Sequence, residues 1–535
     1  MPTPTTSGLS SFVPLTGEPF FDALVGGTKW GGAVGAGAVV TYSFPNAGFW
    51  STHPITGYGS SSGGGEPWGA FPLTAAQQFA FRSALQQWAN VANITFIESP
   101  DSQLTVGDIR VAFTANFQQP AFAAYATPPS ASPRGGDIWL DASDYWSEFA
   151  DVTPGSHGYL TLLHEIGHAL GLKHPFEGPA TLPADVDSVR TTVMSYSATP
   201  GDRGSSLSFY PTTPMVLDIL ALQYAYGPNM TYRAGNDTYI YRADRTYSEV
   251  IWDADGIDTI QYISNLAGGT IDLRPARWNK LGISHDVYTS SGPFWTDDTV
   301  MIYADVTIEN ATGGNGPDTI IGNDVSNVLI GGAGNDVIDG GLGNDTLIGG
   351  TGNDTLWGGL GIDIASFSAT RANCSIRQIV AGYTVAGPDG SDSIASIERL
   401  QFSDKKIAVD LWDGNAALNT VRIIGAAFGA PAIQAHREWV GAGLSLFDGG
   451  TSLQSICGLV VNMMGLDNTA FVDTVYRNVV GVSPTASQRA LHVGLLQGSG
   501  GSMTQAQLLE IAAFTDLNAQ SINLVGLQQS GVEYL

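Results

Sequence analysis

Three regimes of hydrophobic patterning follow one another along the chain. Thr74 and Gln77 form a capping box, and Phe81, Leu85, Trp88 and Ala92 then recur at i, i+4, i+7 and i+11, which predicts an amphipathic helix. Strand-like runs are expected at Ile94 to Ile97, Ile109 to Phe113 and Ile138 to Leu140, before a second helix from about Tyr159 to Leu170. Helices alternating with strands in this way predict an α/β unit with helices packed on a sheet. From residue 313 the period changes to nine, through GGNGPDTII, GNDVSNVLI, GGAGNDVID, GGLGNDTLI, GGTGNDTLW and GGLGIDIAS. Ile320, Leu329, Ile338, Leu347 and Leu356 hold the apolar register, which fades to Ala365, and this predicts a parallel β-roll. Beyond about residue 413 helical spacing returns, as in Phe471, Val475, Val479 and in Leu508, Ile511, Ala512.

The fold class expected is therefore multidomain: an α/β catalytic domain over 31–228, an all-β parallel roll over 229–412 and a mainly α module over 413–535. Residues 1–30 are polar, Gly-rich and without period, and read as a flexible leader or short propeptide. At 535 residues the chain exceeds what one core accommodates. Carboxylates outnumber Lys and Arg 49 to 22, a formal charge of -27 that repels nucleic acid and anionic membranes and favours cations as partners. Cys374 and Cys457 stand alone, which leaves two buried thiols or a single bridge and excludes a cysteine metal knuckle. The amino terminus has no basic residue before Lys29 and no apolar core of a signal peptide. No stretch reaches the roughly 18 apolar residues of a membrane helix.

The densest chemistry lies in TLLHEIGHALGLKHP, Thr161 to Pro175. His164 and His168, four apart, share one helical face and reach one metal ion. Glu165 occupies the neighbouring sector, placed to take a proton from an activated water. Gly171 supplies the positive φ that ends the helix and returns the chain, so that His174 becomes a third ligand. Three neutral imidazoles leave one position of a zinc ion open, the catalytic arrangement. His53, His157, His285, His436 and His492 lack such spacing and read as ordinary polar residues.

Together with the turn at Met194, Ser195 and Tyr196 and the downstream nonapeptides, this stretch resembles the serralysins, bacterial metzincin peptidases with an RTX β-roll. The resemblance covers about residues 30 to 410. It implies that Tyr196 stabilises the oxyanion, or else packs as an aromatic under the turn. Met194 would form an apolar floor beneath the ligands. Asp218, in PMVLDILALQYAYG, would support that turn from behind, or be a solvated helix carboxylate. The expected activity is zinc-dependent hydrolysis of peptide bonds in extracellular or surface proteins, with one catalytic Zn2+.

Each GGxGxD turn offers carbonyls and one carboxylate, and Ca2+ needs six or more oxygens, so adjacent turns share ions. Asp318, Asp336, Asp345, Asp354 and Asp363 hold that register with Gly331, Gly334, Gly340, Gly343, Gly349 and Gly352, while Asn327 replaces one Asp. Several Ca2+ ions would thus supply the folding energy of the roll. By resemblance Asp253, Asp255 and Asp258 build a further calcium site where the roll begins, and an extra residue displaces Asp237 from the family pattern. The resemblance also implies export by an ABC-type exporter that reads a carboxyl-terminal signal, here Val532 to Leu535, and an extracellular or cell-surface location. The segment FVDTVYRNVVGVSP is similar to helical modules of other secreted RTX proteins; it attaches to a surface polymer or layer, or adds packing to the roll. The competing reading is a calcium-dependent surface or adhesion protein whose peptidase domain has decayed.

Overall fold

The computed structural model describes residues 9–46, 49–52, 57–59, 65–119 and 123–535; His53 lies outside these. The chain forms two compact units, one of residues 1–259 with 275–308 and one of residues 260–274 with 309–535.

In the first unit the strands are β1 (Ser10–Phe12), β2 (Thr28–Trp30), β3 (Ala38–Ser43), β4 (Ala70–Phe71), β5 (Ile94–Glu98), β6 (Ile109–Thr114), β7 (Ala124–Ala126) and β8 (Asp137–Asp141). Its helices are α1 (Pro19–Asp22), α2 (Ala75–Val91), α3 (His157–Ala169) and α4 (Val216–Tyr226). One sheet runs β5-β3-β6-β8-β7 with β4 attached to β6; β3, β5, β6 and β8 are parallel, and β7 is antiparallel to β8. The Thr74–Gln77 capping box opens α2 as expected, and Phe81, Leu85 and Trp88 turn inward. Trp88 donates its indole N–H to the Leu163 carbonyl of α3 at 3.2 Å, which joins the two helices.

Residues 9–30, expected as a flexible leader, are instead part of this core. β1 pairs with β2, and Ala23 and Leu24 are fully buried. Trp30 donates its indole N–H to the Ala169 carbonyl at 2.8 Å, and the Gly26 N–H bonds to the Gly171 carbonyl. The absence of a period misled the sequence reading, because this segment packs through single residues rather than through a repeating face.

In the second unit successive nonapeptides alternate between two parallel sheets. Leu329 pairs with Leu347 and Ile338 with Leu356, so one turn of the roll takes 18 residues. Ile320, Leu329, Ile338, Leu347, Leu356 and Ala365 are fully buried between the sheets. Residues beyond 413 form helices, as the pattern predicts, from Ala416–Phe428 to Leu524–Ser530, followed by a strand, Val532–Tyr534. That strand pairs antiparallel with Lys406–Ala408, and Leu418, Val421, Val440 and Leu524 share one apolar cluster with Ala408 and Leu411. The helical segment thus closes the end of the roll within a single compact unit. Cys374 and Cys457 are both buried and unpaired. No single helix among the described residues is long and apolar enough to cross a membrane.

Candidate active site

The sequence of α3 places the site. Ser156 caps the helix by accepting the Tyr159 N–H, and α3 begins at His157, two residues before the start read from periodicity. Gly171 takes φ +104, and a Cβ there would lie 1.9 Å from the Thr28 carbonyl oxygen, so only glycine lets the chain turn back. His174 returns accordingly. Its Nε2 lies 3.1 Å from His164 Nε2 and 3.0 Å from His168 Nε2.

Three nitrogens cannot all be donors to one another at such distances, and the surroundings fix their protonation. His164 Nδ1 donates to the Val193 carbonyl at 2.8 Å and His168 Nδ1 to the Leu172 carbonyl at 2.9 Å. Glu177 Oε1 stands 2.9 Å from His174 Nδ1. With the His164 and His168 protons held on Nδ1, the Nε2 lone pairs of these two rings turn toward His174 Nε2, an arrangement that a cation relieves. Burial holds His164 well below the usual imidazole range and His168 at about 4, so both rings are neutral. These three residues form one of the two acidic or histidine clusters of metal-binding geometry among the described residues.

Glu165 is 4% exposed, and its Oε2 has no hydrogen-bond partner. Burial pushes its carboxyl up to about 8. It lines a cavity of about 330 Å³ shared with His164 and Tyr196. The Tyr196 hydroxyl lies 2.7 Å from His174 Nε2. Burial, followed by the charges of Glu165 and Glu177, raises this phenol well above its usual range, so it stays a donor.

Behind the three histidines, Asp218 is fully buried and is no solvated carboxylate. It accepts the Thr192 hydroxyl at 2.5 Å and the N–H groups of Val193 and Met215, each at 2.8 Å. Val193 in turn offers the carbonyl that orients His164. Met194 is fully buried against α3, where a Cβ on Gly167 would come within 2.6 Å of its sulfur. His157, read as an ordinary polar residue, lines the same cavity and pairs with Glu148 at 2.5 Å. Its position seven residues before His164, on the same helical face, was the available signal.

In the roll, Asp336, Asp345, Asp354 and Asp363 are at most 2% exposed, and one oxygen of each, Oδ2, lacks a partner. The other oxygen accepts an N–H from the turn 18 residues earlier, as in Asp336 N–H to Asp354 Oδ1 at 2.9 Å. Unpartnered buried carboxylate oxygens are what a bound cation satisfies. Asp318 differs, since its Oδ2 accepts the Gly314 N–H. Gly331, Gly340 and Gly349 leave room for these carboxylates: a Cβ would meet Oδ2 of Asp336, Asp345 or Asp354 at 2.2 to 2.4 Å. Gly334, Gly343 and Gly352 take φ of +109 to +138 against the preceding turn. Asn327 satisfies its own amide through Asn323 and Glu309 and leaves no free oxygen of this kind. Asp392 and Glu398, missed in the sequence, continue the ladder by accepting the N–H groups of Asp354 and Asp363, both at 2.9 Å.

The second cluster brings together two of the expected trio, Asp253 and Asp258, with Asp237. Asp237, Asp253 and Asp258 converge within 4.8 Å, whereas Asp255 stands outside and caps the Gly256 N–H.

Two family comparisons bear on these sites. Residues 73–193 match the family described as Matrixin, and residues 312–347 and 331–365 match the RTX calcium-binding nonapeptide repeat. The matrixin domain implies a catalytic zinc, which the three histidines fit, and the repeats bind calcium. More particularly, the chain is similar to serralysins: that of Proteus mirabilis is 35% identical over 332 residues, which cover 56% of this chain and 63% of the relative. The serralysin of Photorhabdus luminescens is 34% identical over 289 residues, covering 49% and 56%. Metalloprotease AprA of Pseudomonas entomophila is 35% identical over 276 residues, covering 46% and 53%. The chain thus spans between 53% and 63% of the length of these relatives.

Proposed function

We propose that the chain is a secreted zinc endopeptidase that hydrolyses peptide bonds of extracellular or surface proteins, with a roll that folds on calcium. The observation that carries this reading is the convergence of three Nε2 atoms beside the unpartnered Glu165 carboxylate in an open cavity. His164, His168 and His174 would hold the zinc, which when bound supplies Lewis acidity to a water and to the scissile carbonyl. Glu165 accepts the proton of the attacking water and returns it to the leaving amine nitrogen. The Tyr196 hydroxyl donates to the oxyanion, and Asp218 keeps the His164 ring in register through Val193.

Asp336, Asp345, Asp354 and Asp363 would bind calcium through their free oxygens together with glycine carbonyls of adjacent turns. Asp237, Asp253 and Asp258 would hold a further ion. Export through an ABC-type exporter, a carboxyl-terminal signal and attachment to a surface polymer complete the proposal. The helices of 413–535 support the packing role directly, through the cluster shared with Ala408 and Leu411. No observation favours a decayed peptidase, and the presence of His164, Glu165, His168, His174 and Tyr196 around one cavity supports the peptidase reading. The test is digestion of casein by the calcium-folded protein. Cleavage should stop with a zinc-selective chelator and return with zinc, and cleavage indifferent to the chelator would refute it.

A further inference from the structure

Arg203 lies on the loop that follows the Met194 turn, and it stands apart from the other features of the site. That loop is braced at both ends. Thr199 donates its N–H to Ser205 Oγ at 2.8 Å, and Asp202 accepts the N–H groups of Gly204 and Ser290, both at 3.0 Å. Ala198 and Ser205, on either side of Arg203, line the cavity beside Glu165. The Arg203 guanidinium lies 4.1 Å from the centroid of the Phe176 ring. Phe176 is stacked on the His174 imidazole, with centroids 5.1 Å apart and planes 4° from parallel, and its ring is 5.1 Å from that of Tyr196.

This arrangement fixes a cation at the rim of the catalytic centre. A guanidinium laid on an aromatic face keeps its edge N–H donors turned outward, in the fork that matches a carboxylate. Among the described residues no hydrogen bond or ion pair occupies those donors, and Arg203 is exposed. The acid next to it in sequence, Asp202, is already engaged with the N–H groups of Gly204 and Ser290. In a chain of formal charge -27, an arginine without a counter-ion at this place is available to an incoming anion.

Resting on the peptidase reading, we infer that Arg203, mounted on Phe176, is a specificity-determining residue that binds a substrate carboxylate flanking the scissile bond. That carboxylate is either an Asp or Glu side chain or the carboxyl terminus of a short substrate.

The experiment uses the full-length, calcium-folded, zinc-loaded protein and three peptides of one sequence. One has an internal Glu near the scissile bond and an amidated end, one has Gln there with an amidated end, and one has Gln with a free carboxyl terminus. The ratio of kcat/KM for either carboxylate peptide over the neutral one should exceed unity in the wild type. It should fall about three- to tenfold in Arg203→Ala, the range expected for one exposed charge-assisted contact. Arg203→Glu should lower the same ratio further than Arg203→Ala does, and Phe176→Leu should erode it by removing the ring that holds the guanidinium. The first and third peptides separate a side-chain carboxylate from a terminal one. Equal proportional losses on charged and neutral peptides in Arg203→Ala would overturn the inference. A wild type that cleaves all three peptides equally would overturn it alone, whereas a wild type that cleaves none would overturn the peptidase reading and this inference with it.

Discussion

Replacing Asp218 with Ala should loosen the zinc site from a distance, and the size of the effect follows from its three hydrogen bonds. The buried carboxylate satisfies the Thr192 hydroxyl and the N–H groups of Val193 and Met215. Alanine leaves two buried N–H donors without partners, at about 1–3 kcal/mol each, and opens a small cavity, so the first unit should lose about 4 kcal/mol. Asparagine behaves differently. Both N–H groups point at one oxygen, Oδ2, which an amide oxygen can replace, while the amide NH2 donates to the Thr192 hydroxyl. Asp218→Asn should therefore cost under about 1.5 kcal/mol. Denaturant unfolding followed by tryptophan fluorescence measures both, and metal analysis after dialysis reports zinc retention. Because Val193 orients His164, Asp218→Ala should also bind zinc more weakly than Asp218→Asn. Equal stabilities for the two variants, or an alanine variant within about 1 kcal/mol of wild type, would show that the carboxylate does not brace the turn.

Gly352→Ala should disrupt the roll, since its Cβ would fall 1.6 Å from the Gly334 carbonyl oxygen; circular dichroism at saturating calcium should show reduced β content, and a wild-type spectrum would contradict the stacking. Calcium titration should depend on pH. Burial raises Asp336 and Asp392 to about 6 and Asp345 and Glu398 to about 7, so the calcium-free roll loses stability as pH rises through 6 to 7, and calcium must displace protons below that window. The half-saturating calcium concentration should accordingly rise on going from pH 8 to pH 5.5, by about tenfold per unit for each proton displaced, and a flat profile would show that Asp336 and Asp345 are not ligands. Tyr196→Phe should lower kcat far more than it changes KM, because the hydroxyl meets a charge that develops only during reaction; unchanged kcat would reduce Tyr196 to packing.

The zinc centre was legible because its groups lie within one helix and the turn after it, where spacing alone fixes direction. The roll was legible for the same reason: a nine-residue period places Leu329 over Leu347 and Ile338 over Leu356. Asp392 and Glu398 escaped notice because the hairpin strands Ser375–Ile379 and Gly382–Gly387 interrupt the period before the ladder resumes. Asp237 joins Asp253 and Asp258 in the second cluster because the fold brings Asp237 N–H to Asp258 Oδ1, at 2.7 Å across 21 residues, a contact no local spacing reveals. The segment 9–30 misled for a complementary reason, since Trp30 and Gly26 are fastened to residues more than a hundred positions away.

The measurement that bears most directly on the central claim is Glu165→Gln, made in the full-length protein folded with calcium and examined for bound zinc and peptide cleavage together. His164, His168 and His174 are untouched, so zinc should remain near one equivalent while turnover drops by about 10²-fold or more. A variant that keeps its zinc and still cleaves at a rate close to wild type would contradict the assignment of Glu165 as the proton acceptor, and with it the account of this site.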